Sequence, residues 1–540
     1  MKKILATTLL FFGIQSVLFG QEAKVELGPE MKDVKKNGLI TNIIGKDNDG
    51  VYINRKISKV IVAFVKTIYT IESYNLNLEK TNSAVSEDKD KEKGITHSHL
   101  FEINLKNKLY SVDSKKDLNN KIKTLTVEEI NKTSLLPEGD EKTLAEYSFE
   151  EGNKRNSGSF GFIQSYDSSK VLIYYDLPLV NDEPQKFGIQ VYNDEFKELW
   201  KNEIELPYND ELCDVVSYRV GNDGNVYILA KVYEEKHREK KRGEVNYEFH
   251  VFYYSKNDKD TYDMPIDSKS KFFNEMTMTI NNNNEVVCVG LYSSESQSYY
   301  AKTASTRDIN EGTFYIRIDS KSHKVVAETL KPFSEIMPED EDNNDSDKQK
   351  KRKQDRIFMD YDFRNIIQKE DGGVIVVAEQ YYIHTVTTTT RSSTGVTTTK
   401  TTYYYHYNNI LVLNIDKNGN FIWQKIIPKK QVSVDDGGYL LSFALVPKGD
   451  NLYFFYNTTP FKKTKSGEET KRPVRREGMG VLSMYVLNKD GELSERKDLI
   501  NKKESKVYMV PRGALQVSDS EIIFYGTTTK LNRLAKITIE

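Results

Sequence analysis

One pattern recurs along this chain and constrains it more than any other feature. Two short β-rich runs flank a turn of Asp, Asn, Gly or Ser, a longer connection follows, and two further runs flank a second polar turn. The clearest copy spans 162–206, with strands expected at 162–166, 171–175, 187–192 and 199–206 and turns at 167–170 and 193–196. The pattern returns over 214–266, 276–330, 365–427 and 439–499. An opening copy begins at 39–54 around Asp47-Asn48-Asp49-Gly50, and a degenerate second one covers 99–147. The last, 514–539, has three runs where four are expected.

A four-stranded meander cannot bury both faces alone, so a chain that repeats it must stack the copies. The expectation is an all-β fold: a single β-propeller of four-stranded blades, eight favoured, or seven if 99–147 is not an independent copy. A ring has to close, and the segment 22–33 is the candidate strand for completing the last blade. Two stacked β-sandwiches also give many short strands, but rarely repeat one meander with one turn chemistry so often. Asp416-Lys417-Asn418-Gly419-Asn420-Phe421-Ile422-Trp423 is similar to the quinoprotein-type repeat, in which a Trp follows the turn Gly by four residues. Asn193-Asp194 followed by Trp200 is a weaker echo. On these residues the chain resembles a secreted repeat protein of the quinoprotein/WD40-like propeller superfamily. No Trp-Asp dipeptide or sialidase-type Asp box assigns a subfamily. With only two tryptophans, the Trp packing between blades that the resemblance implies is not general here, and no cofactor is expected.

Lys2 and Lys3, the apolar run 4–19 and the small Gly20 read as a signal peptide over 1–20. The run is broken by Gly13 and Gln15, too short for a comfortable span, so a soluble periplasmic or extracellular mature chain, 21–540, is expected. A net charge of −2 supplies no field to attract nucleic acid. Cys213 and Cys288 are the only cysteines; the apolar run around Cys288 suits a buried free thiol, with a disulfide as the alternative.

Chemistry is harder to find. His97 and His99 fall at i, i+2 beside a charged stretch expected to be an exposed loop, with no third metal ligand in view. His384 and His406 sit on opposite arms of an expected hairpin. Asp47, Asp49 and Gly50 superficially suggest a calcium loop but lack its terminal Glu, and tight hairpins need the same residues. No nucleophile elbow, metalloprotease helix motif or phosphate-binding glycine loop occurs, so no catalytic residue and no metal site is assigned.

The repeat's long connections are more informative. Insertions at 233–247, 293–313, 381–409 and 458–479 fall between second and third strands, and 332–356 links two blades. In a meander all five share one face. Residues 458–479 are rich in Lys and Arg, including Arg472, Arg475 and Arg476; 332–356 runs from acidic to basic. Residues 381–407 alternate Thr and Val about a turn after Arg391, with Tyr381, Tyr382, Tyr403, Tyr404 and Tyr405 at the base, which reads as a protruding hairpin. These tyrosines and arginines are the expected partner-binding residues. The expected function is a non-catalytic interaction scaffold or accessory subunit of a bacterial-type cell-envelope complex, possessing no nucleic-acid role. The alternatives are a carbohydrate-active or hydrolytic propeller enzyme, or a ligand-binding sensor with its site at the central channel.

Overall fold

The computed structural model describes residues 23–32, 34, 38–61, 64–86, 93–149, 158–177, 184–234, 245–257, 262–269, 271–294, 310–336, 361–459, 462–463, 469–470 and 480–540. The expected signal peptide lies outside them.

The second strands of the repeats read as unbroken apolar runs, such as Val286–Ser293, buried along its whole length. A strand of this kind has to be covered on both faces. The fold provides this by standing sheets side by side. Eight antiparallel sheets follow one another along the chain: 39–86, 95–148, 160–209, 213–266, 272–332, 361–427, 444–501 and a last one beginning at 508. Each of the first seven is a meander of four strands in sequence order, and the sixth carries one strand more. Eight apolar clusters fill the eight junctions between consecutive sheets. One of them joins Ile523, Tyr525 and Leu534 of the last sheet to Ile40, Val51 and Ile53 of the first. The core is therefore a ring of interfaces, and the molecule is an eight-bladed β-propeller. The degenerate copy at 99–147 is a full blade. First strands of consecutive blades lie beside one another, so they line the centre.

The closing strand is the one anticipated. Ala23–Leu27 pairs antiparallel with Leu531–Ile539, from Ala23 opposite Ile539 to Leu27 opposite Ala535, and forms the outer strand of blade 8. Gly28 N–H donates to Leu534 O (3.0 Å), Arg533 Nε to Gly28 O (2.6 Å) and Asn532 Nδ2 to Gly38 O (3.1 Å), which staple the entering chain to the last blade.

The polar turns are built by one device. In Asn281, Asp416 and Asn488 the side-chain oxygen accepts the N–H groups two and four residues on, at 2.8–3.0 Å. The Asp47 turn is the same kind of hairpin: Asp47 Oδ1 accepts Asp49 N–H at 2.9 Å, while Lys132 Nζ lies 2.6 Å from Oδ2. The same ammonium lies 3.0 Å from Asp49 Oδ2, so one lysine of blade 2 bridges both carboxylates of the turn.

Cys213 and Cys288 are both buried and free. Burial pushes each thiol up to about 12, so neither is a reactive thiolate.

Candidate functional site

Because strands alternate direction, connections from second to third strands and links from blade to blade emerge at one end of the ring. Of the five long connections expected there, 381–409 is fully described, whereas Arg472, Arg475 and Arg476 lie outside the described residues. Only a short pair of strands, Lys462–Lys463 with Glu469–Thr470, is described in the seventh-blade insertion.

In blade 6 the second strand, Val374–Arg391, and the third, Thr397–Ile415, run far past their neighbours. A register shift after Glu379 reorients the arms, and pairing then continues unbroken from Tyr381 opposite Tyr407 to Arg391 opposite Thr397. Gly395, at φ +83°, closes the turn. Pairing partners share a face, so the aromatics divide in two. On one face Tyr382 stacks on His406 (4.3 Å) and His384 meets Tyr404 (6.0 Å). On the other, Tyr381 packs on Tyr407 (4.7 Å), followed by Ile383 opposite Tyr405 and Thr385 opposite Tyr403. His384 and His406 are thus on one face but offset, each opposite a tyrosine rather than opposite each other. Beyond Tyr382 the ribbon stands in solvent; Ile383 is 45% and Tyr403 43% exposed.

The root of the ribbon holds what sequence reasoning missed. Glu379 is fully buried, its Oε1 2.8 Å from Lys429 Nζ and its Oε2 3.0 Å from Arg364 Nε, and Ser442 Oγ donates to it at 2.7 Å. The Arg364 guanidinium lies 5.6 Å from the centre of the Tyr381 ring and 6.0 Å from that of Tyr407. Burial pushes Lys429 down to about 8, partly offset by Glu379. A short strand, Gln431–Val434, pairs with Tyr404–Tyr407 of the third strand, so the root is three-stranded and part of the edge expected to be exposed is covered. Asp435 finishes that strand: its N–H donates to Tyr403 O (3.0 Å) and its carboxylate accepts Tyr403 N–H (2.8 Å). Gly438, at φ +70°, passes so close that a Cβ would lie 2.4 Å from the Tyr407 ring. The available signal was Glu379 itself, a lone acid ending the apolar run 374–378. Blade 4 uses a related device: Tyr233 meets Tyr247 at the root of its long connection, with Lys231 Nζ 3.5 Å from the centre of the Tyr247 ring.

At the centre, five innermost strands carry a bulge at a similar height. Thr41, Leu100, Val216, Asn274 and Arg364 are the residues without a direct partner on the second strand. Blade 8 exaggerates the feature: residues 510–514 stand opposite Phe524 and Tyr525, and Arg512 reaches out to Tyr407 Oη (3.4 Å) and Gly437 O (3.3 Å). Bulges leave no turn residues behind, only a slip of alternation, which hid them in the sequence.

His97 and His99 lie on the innermost strand Ile95–Leu105, not on a loop. His99 Nδ1 is 3.1 Å from Asp113 and Nε2 3.2 Å from Glu102. Burial opposes its charge, but its hydrogen bonds to both carboxylates outweigh that and carry it up to about 9, which favours the imidazolium. Among the described residues no group of three His, Cys, Asp or Glu could hold a metal ion.

No family model and no curated protein matches the chain. Solved structures do. The β-propeller domain of the Trilobed protease from Pyrococcus furiosus is similar over 85% of this chain and 96% of its own, at 11% identity and a TM-score of 0.34. The WD40 domain of SCAP from fission yeast is similar over 96% and 98%, at 10% identity and 0.36. Pyrococcus horikoshii acylaminoacyl peptidase is similar over 92% of this chain but 58% of its own, at 11% identity and 0.33. At these identities a likeness concerns the fold and no activity. Among the described residues no helix is long and apolar enough to cross a membrane.

Proposed function

We propose that this propeller is a non-catalytic scaffold that docks a protein of the cell envelope through the end of the ring bearing the long connections. One observation carries the reading: the Thr-rich ribbon of blade 6 spends about twenty residues on a structure that buries nothing of the core, yet stands on a root of buried charge, stacked aromatics and a third strand. A loop that merely connects two strands needs no such footing. Tyr382, Tyr403, Tyr404 and Tyr405 supply contact area, and Arg391 a cation at the tip. Arg472, Arg475 and Arg476 of the neighbouring blade are the second proposed contact. Export rests on the character of residues 1–20.

The test is affinity purification of the native protein from detergent-solubilised envelopes, beside a variant in which an Asn-Gly turn joins Thr385 to position 403 and Tyr382, Tyr403, Tyr404 and Tyr405 are replaced by alanine. A stoichiometric partner lost in the variant is the expected result. A partner retained by the variant, or none with the native protein, overturns the reading.

A further inference from the structure

The docking reading leaves open what the ribbon grips, and its two edges answer differently. Along the third strand, 404–407 are covered by Gln431–Val434, and Asp435 seals the next position at Tyr403. Along the second strand, the described inner strand Tyr361–Gln368 pairs as far as Gln380. From Ile383 to Arg391 the third strand is the only pairing partner among the described residues.

Proteins blunt such edges with proline, bulges, inward charges or brevity. Residues 383–391 have none of these: no proline, no glycine, no register shift, and a single charge at the far end. At about 3.3 Å per residue they offer roughly 30 Å of ladder with no second partner among the described residues. The chemistry along it is graded. Ile383 and Val386 present apolar surface near the root, threonines follow, and Arg391 and Lys400 stand near the tip. Between Gln380 and Ile415 there is no acidic residue to balance those two cations. The molecule also shows what it lays on the opposite edge: Gln431-Val432-Ser433-Val434-Asp435-Asp436, an alternating β-branched strand ending in carboxylates.

We propose that the 383–391 edge receives an extended segment of the partner protein as an added β-strand. The segment is β-branched and apolar where it passes Ile383 and Val386, and bears carboxylates on both of its faces near the tip, towards Arg391 on one face of the ribbon and, on the other, towards Lys400, which stands on the third strand opposite Thr388. Main-chain hydrogen bonds supply the affinity and the cations the direction and the choice of partner. The inference rests on the docking reading and narrows it to one edge and one kind of segment.

Two fluorescent nonapeptides test it on the full chain: alternating Thr and Val ending in three Asp, and the same ending in three Lys. The acidic peptide binds about tenfold tighter than the basic one, as two charge contacts of ordinary strength require. N-methylation at alternate residues, which removes one row of main-chain donors, abolishes binding. The double variant Arg391→Glu, Lys400→Glu reverses the preference while its circular dichroism and melting stay those of the native chain. Equal binding of the N-methylated peptide, binding indifferent to charge, no binding of either peptide, or a dimer of this chain formed through the same edge each overturn the proposal. If the envelope partner is lost with the ribbon while the peptides fail, the docking reading stands and only the strand addition falls.

Discussion

Glu379 and His99 show how singly placed charges hold this ring together, and each has a measurable signature. Glu379 compensates Lys429, which is as buried as it is, and also holds Arg364. Glu379→Gln leaves a buried ammonium short of its counter-charge, a change that typically costs about 3–5 kcal/mol. Lys429→Met removes the other partner. The two together should cost less than the sum of the singles, because the second substitution removes the charge that the first one stranded. Melting temperatures of the three variants check this, and strict additivity would show that the pair is not coupled. His99 has the opposite dependence on pH from Lys429. Its pKa rises on folding to about 9, so its contribution is complete below the unfolded value of about 6.5 and is lost as pH climbs through 9. Lys429, lowered to about 8, makes the fold gain stability between about 8 and its unfolded value near 10.4. Comparing wild type with His99→Gln cancels the lysine. The melting-temperature gap between the two proteins should be widest at pH 6 and shrink towards pH 9.5; a gap that does not change with pH would remove the histidine from the account.

At the scale of the element, the ribbon and the blade junctions make contrasting demands. Replacing 386–402 by Asn-Gly removes no core contact, so its melting temperature should stay within about 2 °C of wild type, as for surface changes of near-zero cost. The junctions are less forgiving. Trp423, on the outer strand of blade 6, donates from Nε1 to Lys489 O at 2.6 Å across to blade 7. Gly491, in the turn it packs against, has φ +78°, and a Cβ there would come within 2.9 Å of the indole. Gly491→Ala therefore meets both a left-handed backbone and a wall, and should destabilise by about 1–2 kcal/mol from the backbone alone. Trp200 serves the junction of blades 3 and 4 in the same way, donating to Gly224 O at 3.0 Å. Elsewhere Arg317 Nε donates to Lys417 O (2.8 Å) and Tyr227 Oη to Asn284 O (3.1 Å). This bears on how much of the structure was legible in the sequence. Strands, turns and the ribbon were, because alternation and Asx-Gly turns are local. The sparse tryptophans correctly excluded a uniform indole girdle, but nothing in a sequence announces that an arginine or a tyrosine carries the same bond at another junction. The strand at 431–434 and the Glu379 cluster were invisible for the same reason: each exists only by virtue of contacts across tens of residues.

The incomplete last repeat was the most informative part of the sequence for the whole molecule, because a ring of blades is stable only once it is closed. Ala23, Val25 and Leu27 pack into the apolar cluster shared by blades 7 and 8, while Met31 reaches the junction of blades 8 and 1. There Arg55 Nη2 donates to Met31 Sδ (2.8 Å) and its Nε to Glu72 (2.6 Å), so the entering chain meets a buried ion pair of blade 1 as well as the ladder of blade 8. The stretch Ala23–Met31 thus ties together three blades. Val25→Pro removes a donor and a side chain from the middle of that ladder, and should lower the melting temperature and expose both chain ends to protease together. A protein in which only the first thirty residues became protease-sensitive would show that the ring holds without its closing strand. The complementary change pairs Lys24→Cys with Thr538→Cys, whose backbones face each other. A disulfide there closes nearly the whole chain into one loop, for which the chain-entropy model gives about 6 kcal/mol as an upper figure. Oxidised protein should melt above wild type and reduced protein should not. The gain should vanish in the Val25→Pro background if the proline has already detached the strand, because the two cysteines would no longer be held within bonding distance.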